Sequence, residues 1–511
     1  MARVLNEKAA SAEATAKALS RVGLAHGPLG RSGLVVSRIG FGCYRVGPSE
    51  PDQRQALEAA LLAGVNLIDT SANYADGGSE MLVGQTLAEL GQRGRPRREQ
   101  VVIVSKGGYL QGFNLALSQR RRQQGRPFPE LLELGPNLEH CIHPDFLADQ
   151  IGRSLERLGV ERIDVYLLHN PEYYLGWATQ KQGLELDQAR AEFYRRLKAA
   201  MMHLEREAKA GRIGWHGLSS NTMGHRPADP EFVSLSQVCA LAEDLGPGHH
   251  FLAAQTPLNL LEPGAAVNVN QPGGQTFLGM AHAQGLAVLI NRPLNAMTPD
   301  GHLVRLAQGP AVAAPPPGAI VDGLAELAAL EAQGQELLAP LAQAGRLPAE
   351  ALAALPAAEG LGRHWDSFSG LEQWATIRDG YLRPRLEFVR QAVARAAGDA
   401  PAVGQWLERL GQSATALHQA IDALYQAMAA KQAQQIAKGF GERFGPWVAA
   451  DGGLAQTALR AARATKGVSC VLLGMRRPAY VEDALAELRR PLPQADAADL
   501  WRALAERPLW P

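Results

Sequence analysis

Seven short β-branched or apolar runs, separated by longer stretches with apolar residues three and four apart, constrain this chain more than any other feature. The runs fall at 36–41, 65–70, 101–106, 163–169, 213–219, 251–256 and 286–292, and an eighth, 468–473, comes only near the C-terminus. Strand-length runs alternating with helical ones build β-α-β units and a parallel sheet. Helical spacing runs through 54–63, 144–158 and 186–210, and Gly211 supplies a helix stop before the fifth run. Eight such units predict an α/β fold closed as a (β/α)8 TIM barrel, with an open doubly wound sheet as the alternative.

The interval between the seventh and eighth runs is too long for one helix. Residues 298–450 are rich in Ala, Leu, Gln and Arg and poor in β-branched residues, which predicts a helical insertion. Leu407, Leu410, Ala414, Leu417, Ile421, Leu424 and Met428 alternate in steps of three and four, a stripe that needs a partner helix. The stretches 324–338 and 386–393 can supply it, which favours a bundle within the chain over a coiled coil between chains. A Pro- and Ala-rich linker, 310–317, leads in. A smaller insertion, 107–142, carries Arg120, Arg121, Arg122 and Arg126 with weak periodicity and reads as a solvated loop. The expected divisions are a tail at 1–28, barrel strands one to seven at 29–297, the insertion at 298–450, and the last barrel helix, strand eight and terminal helices at 451–511.

Composition removes several classes of function. Lys plus Arg number 51 against 51 Asp plus Glu, a formal net charge of zero. Nucleic-acid and anionic-membrane binders concentrate excess cation on one face, so neither partner is expected. No run approaches a membrane span, and the N-terminus lacks the apolar stretch of a secretory leader. Glu7 and Glu13 break the acid-poor rule of transit peptides, so 1–28 reads as a helical or frayed tail. Cys43, Cys141, Cys239 and Cys470 are scattered without a Cys-x-x-Cys, which points to a reducing compartment, the cytoplasm.

Three consecutive runs end in ionisable side chains: Asp69, Lys106 and His169. One such ending is ordinary strand termination at solvent. Three in succession favour convergence on the C-terminal rim of a barrel, where side chains from different strands meet. Tyr74 lies within loop reach of that rim. His140-Cys141-Ile142-His143 looks like a metal cluster but lacks a second ligand set at a suitable spacing, and His249-His250 reads as a turn pair, so no metal site is expected.

The motifs carry a resemblance. Leu29-Gly30-Arg31-Ser32-Gly33 through Gly42 is similar to the opening hairpin and first strand of the aldo-keto reductase superfamily. Asp69-Thr70-Ser71-Ala72-Asn73-Tyr74 with Ser79-Glu80 and Gly84 resembles its second strand and loop. Ser154-Leu155-Glu156-Arg157-Leu158-Gly159 before Ile163-Asp164 and His169 completes the pattern. The likeness covers roughly 29–297 and 451–490 and leaves the insertion outside it.

The resemblance implies a catalytic tetrad of Asp69, Tyr74, Lys106 and His169. Hydride reduction of a carbonyl builds an alkoxide, which needs a proton donor and positive potential at the oxygen. Tyr74 would donate, Lys106 would lower the tyrosine's pKa, and Asp69 would hold Lys106 charged and oriented. His169 would donate a hydrogen bond to the carbonyl oxygen or relay a proton.

Cofactor residues carry over less evenly. Ser219 and Gln255 match the nicotinamide-carboxamide contacts, and either Ser220 or Asn221 takes the remaining one. Asn291, Arg292, Pro293 and Leu294 match contacts to nicotinamide and pyrophosphate. Gly474, Arg476, Arg477 and Asp483 match the adenosine-phosphate motif, and its two arginines favour NADP, with NAD as the alternative. The implied activity is an NADP-dependent oxidoreductase working on aldehydes, ketones or sugar hydroxyls, its partner a small carbonyl or sugar molecule. A cofactor-binding regulatory or redox-sensing subunit is the rival, and the helical insertion is expected to act as a lid or, alternatively, as a homo-oligomer contact.

Overall fold

The computed structural model describes residues 9–298, 302–307, 312–398, 400–448 and 453–509. Its contacts divide the chain into one unit of Met1–Leu294 with Phe444–Pro511 and another of Asn295–Arg443. The second unit begins with a strand pair, Asn295–Met297 and Leu303–Arg305, ahead of its helices. The expected boundary residues 450 and 451, and positions 310 and 311 of the expected linker, lie outside the described residues.

The first unit is a closed barrel of eight parallel strands in sequence order. They are β1 (Ile39–Gly42), β2 (Leu67–Asp69), β3 (Val102–Gly107), β4 (Ile163–His169), β5 (Ile213–Ser219), β6 (Phe251–Pro257), β7 (Ala287–Asn291) and β8 (Val468–Leu473). Each expected run is present. The run at 36–41 divides at Arg38: Val35–Ser37 pairs antiparallel with His26–Pro28, and only the residues after it enter the barrel. Leu29, Leu34 and Val36 of that hairpin pack with Leu67, Val104, Leu167 and Leu289, closing the N-terminal end of the barrel with apolar side chains. The expected tail is a docked helix, Ala12–Leu19, capped by Ser11 and burying Thr15 and Leu19. Gly217 in β5 has a steric reason to be glycine, because a Cβ there would lie 2.0 Å from the carbonyl oxygen of Ala253 on the neighbouring strand.

The segment 107–142 is more ordered than the solvated loop expected. It forms a helix, Gly112–Gln123, and a small antiparallel sheet of Tyr109–Leu110, Leu138–His140 and Leu132–Gly135. Leu110, Phe128 and Cys141 bury against Phe146, a core too sparse in sequence to register as periodic. Its arginines have local partners: Arg122 pairs with Glu133 and Glu139, and Arg121 lies 4.2 Å from the centre of the Phe128 ring.

The second unit is a helix bundle. Its long helix Pro401–Arg443 carries the heptad stripe, and packs against Ala319–Gln343 and Arg383–Ala397, the two stretches expected as partners. Leu410, Ala414, Leu417 and Ile421 are buried, but Met428 at the stripe's end is exposed. Trp406 approaches so closely that a Cβ on Gly334 would meet its ring at 2.2 Å, and its indole donates to the carbonyl of Leu330 at 2.8 Å. No helix of the described residues is long and apolar enough to cross a membrane.

Candidate active site

The pleat of the strands delivers the chemistry. Side chains alternate between the two faces of a strand, so each inward row continues in steps of two. Leu67 on β2 is followed by Asp69, Val102 and Val104 on β3 by Lys106, and Val165 and Leu167 on β4 by His169. The same arithmetic carries Gly217 to Ser219, Ala253 to Gln255 and Leu289 to Asn291. Register keeps several ends level, with His169 opposite Ser219 and Ser219 opposite Gln255. An apolar interior thus ends in a polar layer at the C-terminal mouth.

Within that layer the polar groups are wired together. Lys106 Nζ donates to Asp69 Oδ2 at 2.7 Å and to the Thr70 carbonyl at 2.9 Å, and lies 3.4 Å from Tyr74 Oη. Gln255 donates to the other Asp69 oxygen at 2.9 Å and accepts from Ser219 Oγ at 2.9 Å. His169 packs edge-on to Tyr74 and Tyr109, with ring centres 5.9 and 4.6 Å away. All four tetrad positions are therefore neighbours.

Burial decides the protonation states. It pushes Lys106 down, but Asp69 and Tyr74 outweigh it and the ammonium is held above its ordinary range. For Tyr74 burial pushes up more strongly than Lys106 pulls down, so the phenol is raised in the free protein, opposite to the lowering expected. Desolvation is the physical reason: half-buried Tyr74 would become an anion beside the already ion-paired Lys106. His169 is driven well below its usual value by burial, then by Lys106 and His140, and is neutral.

Backbone strain collects at this rim. Among non-glycine residues, Arg45 beyond β1, Ala75 and Asp76 beyond Tyr74, Asn170 beyond β4 and Arg292 beyond β7 all adopt left-handed φ of 48° to 61°. Such conformations cost about 1–3 kcal/mol each and persist where surrounding structure enforces them.

The remaining sequence-predicted residues fall on the same end of the strands or just past it. Asn291 Oδ1 and Arg292 Nε are buried without a hydrogen-bond partner among the described residues, although Arg292 also pairs with Glu262 at 2.7 Å. Pro293 and Leu294 follow directly. Ser220 is fully buried and bonds Thr222, whereas Asn221 is half-buried and is the freer of the two candidates for an amide contact. Beyond β8, Gly474 is exposed and a Cβ on it would meet nothing within 4 Å. Arg477 holds the N-cap position of the helix Pro478–Arg489 without a side-chain capping bond, and Asp483 on that helix is exposed. Arg476 is lowered by burial and then by repulsion from Arg45 and Arg477, against an opposing pull from Tyr480 and Tyr44.

Sequence reading passed over Ser71, which joins His169 to the loop of Tyr74, and Glu172. Glu172 is buried and accepts the Asn221 backbone N–H at 2.8 Å. A Glu that follows a strand end by three residues carries no sequence signal of that inward turn. His140 Nε2 donates to the His169 carbonyl at 2.7 Å, and His250 pairs with Glu205. No group of three potential metal ligands occurs among the described residues.

Residues 38–226, which include β1 to β5, match the model of the Aldo/keto reductase family. Over 150 residues the chain is 32% identical to the NADH-specific methylglyoxal reductase of Escherichia coli, covering 28% of this chain and 40% of that protein. Over 179 residues it is 31% identical to a D-threo-aldose 1-dehydrogenase of a Pseudomonas species, covering 32% and 48%. The chain thus spans less than half the length of either curated relative. The holo form of an aldo-keto reductase from Bacillus halodurans aligns with 94% of this chain and 96% of that one, at 14% identity and a TM-score of 0.46.

Proposed function

The chain belongs to the aldo-keto reductase family, and from that premise we propose that it is an NADP-dependent oxidoreductase acting on an aldehyde, ketone or sugar hydroxyl. The observation that carries the reading is the buried Lys106 ammonium, bonded to Asp69 and within reach of the Tyr74 hydroxyl.

The residues fit a nicotinamide dinucleotide. The orphaned Asn291 Oδ1 and Arg292 Nε, and the neighbouring guanidinium groups of Arg476, Arg477 and Arg45, are the kinds of groups that a bound amide and phosphates satisfy. Ser219, Gln255 and either Ser220 or Asn221 would hold the carboxamide, and Asn291 to Leu294 the nicotinamide ribose and pyrophosphate side. Gly474, Arg476, Arg477 and Asp483 would take the adenosine end, the guanidinium of Arg476 favouring a 2′-phosphate. The bound group supplies or accepts the hydride.

The chain's own part is protonic and electrostatic. Reduction leaves charge on the substrate oxygen, and Tyr74, which keeps its proton in the buried site, delivers it from Oη. Lys106 stabilises the phenolate left behind, and Asp69 fixes that ammonium in place. Neutral His169 completes the wall beside the substrate oxygen. Four buried, unpaired cysteines support the cytoplasm as its location.

The test is absorbance at 340 nm with NADPH or NADH and a panel of aldehydes, ketones and sugars, run in both directions. Carbonyl-dependent NADPH oxidation is expected. Tight NADPH binding with no turnover on any carbonyl would instead favour a redox-sensing subunit.

A further inference from the structure

Arg292, the first residue beyond β7, has one of the strained backbones of the rim, at φ 49°. A side chain in such a conformation persists where neighbours enforce it. The enforcing group is Asn259, fully buried just beyond β6, whose Nδ2 donates to the Arg292 carbonyl at 3.2 Å and to Glu262 Oε2 at 2.7 Å. Its partners fix which end of that amide is which. The Leu261 and Glu262 backbone N–H groups, which only donate, meet Oδ1 at 3.1 and 3.0 Å, and the Arg292 carbonyl, which only accepts, meets Nδ2.

Glu262 closes the ring. Its backbone pairs with that of Asn259 across a tight turn, and its Oε1 accepts from Arg292 Nη2 at 2.7 Å while Oε2 takes the asparagine. Arg292 is thus held at both ends, by its carbonyl through Asn259 and by its head group through Glu262. Its Nε is buried without a hydrogen-bond partner among the described residues. A guanidinium offers five N–H donors, so the one given to Glu262 leaves others for a second acceptor, and a buried donor on a cation is best satisfied by an anion.

We infer that Glu262, held by Asn259, is a positioning residue that aims Arg292 at the pyrophosphate of the dinucleotide. That role rests on the proposed binding of a nicotinamide dinucleotide. Charge alone favours the reverse, since an acid beside a phosphate site repels the ligand. The clamp supplies the geometric reason for an acid here: Arg292 Nη2 and Asn259 Nδ2 are both donors, a carboxylate has an acceptor oxygen for each, and an amide has only one.

Because charge and geometry predict opposite signs, the sign of the effect separates them. Full-length wild type, Glu262→Gln, Asn259→Ala, Arg292→Ala and the double variant Glu262→Gln/Arg292→Ala are titrated with NADPH by fluorescence. Calorimetric titration adds 2′-phospho-ADP-ribose, which keeps the pyrophosphate and lacks the nicotinamide ring, and far-UV circular dichroism checks that each variant is folded. Arg292→Ala should weaken both ligands about tenfold or more. Glu262→Gln should weaken both about threefold or more although it deletes a negative charge, and Asn259→Ala should act in the same direction although it keeps that charge. The double variant should lose no more than Arg292→Ala alone, because Glu262 acts through the arginine. Unchanged or tighter binding in folded Glu262→Gln overturns the inference, and is what an acid merely competing for Arg292 would give. An additive loss in the double variant, the mark of a general structural role, overturns it as well, as does a loss seen with NADPH but not with 2′-phospho-ADP-ribose. Should Asn259→Ala fail to fold, the Glu262→Gln and Arg292→Ala cycle still decides. Wild type that binds neither ligand brings down the cofactor reading itself, and the role of Glu262 with it.

Discussion

Lys106 is an ammonium in a barrel interior, and everything around it answers that fact. Asp69 neutralises it, Thr70 takes a second hydrogen, and Tyr74 lies at the third. Tyr74→Phe removes the proton without touching the nucleotide contacts. Turnover should fall by about 10²- to 10⁴-fold while the NADPH Kd stays within a few-fold; steady-state kinetics and fluorescence titration check both, and retained turnover would exclude this donor. Glu172 gives a pH signature. One oxygen accepts the Asn221 N–H, the other is buried without a partner, and burial pushes the carboxyl to about 7. A carboxyl raised in the folded state contributes stability that is fully present below its ordinary value and is lost as pH rises through the folded one. Urea midpoints of the wild type should therefore fall from pH 5 to pH 8 more than those of Glu172→Gln, which keeps the acceptor and cannot ionise; parallel declines would contradict this. Asp69, Lys106 and His169 were legible because each ends an apolar run in the same alternating phase. Ser71 and Glu172 were not, since their direction comes from loop backbone that no periodicity encodes.

Strands and helices divide the labour between the two ends of the barrel. At the closed end Asp164 of β4 bonds the Ile103 N–H and the Ala10 N–H and pairs with buried Arg98 at 2.8 Å, stitching β3, β4 and the N-terminal helix region together. Asp164→Ala removes the carboxylate facing the buried Arg98 guanidinium and leaves the Ile103 and Ala10 N–H groups without that acceptor, and should cost about 3–5 kcal/mol in denaturant unfolding, a loss that a surface ion pair would not show. At the open end the loop between β8 and its helix carries Arg476. Arg476→Ala should weaken NADPH binding about tenfold to a hundredfold, the equivalent of about 1.5–3 kcal/mol, and NADH binding little. Calorimetric titration giving equal losses would show that Arg476 does not read the 2′-phosphate. Strand positions could be read because β-branched runs are dense and sharply bounded. The helix Gly112–Gln123 could not, because its apolar residues are few and its arginines are explained only by acids brought near by folding.

The two units separate chemistry from the bundle. All eight strands and every proposed site residue belong to the unit formed by Met1–Leu294 and Phe444–Pro511, and the bundle has its own core around Trp374, Trp406 and Ile421. Replacing 295–443 by a short Gly-Ser linker should therefore leave a folded protein that still binds NADPH; loss of the far-UV signature of the barrel or of binding would show that the bundle is needed for either. The heptad stripe announced the bundle and its partner helices, but its task as lid or oligomer contact has no counterpart in pattern. Hydride transfer itself is the most direct measurement. Wild-type protein given NADPH deuterated at the transferable position of the nicotinamide ring and a reactive aldehyde should yield an alcohol heavier by one mass unit, and the Tyr74→Phe protein almost none. Wild-type protein that binds the deuterated NADPH yet passes no deuterium to any aldehyde, ketone or sugar would contradict the assignment of this barrel as a reductase.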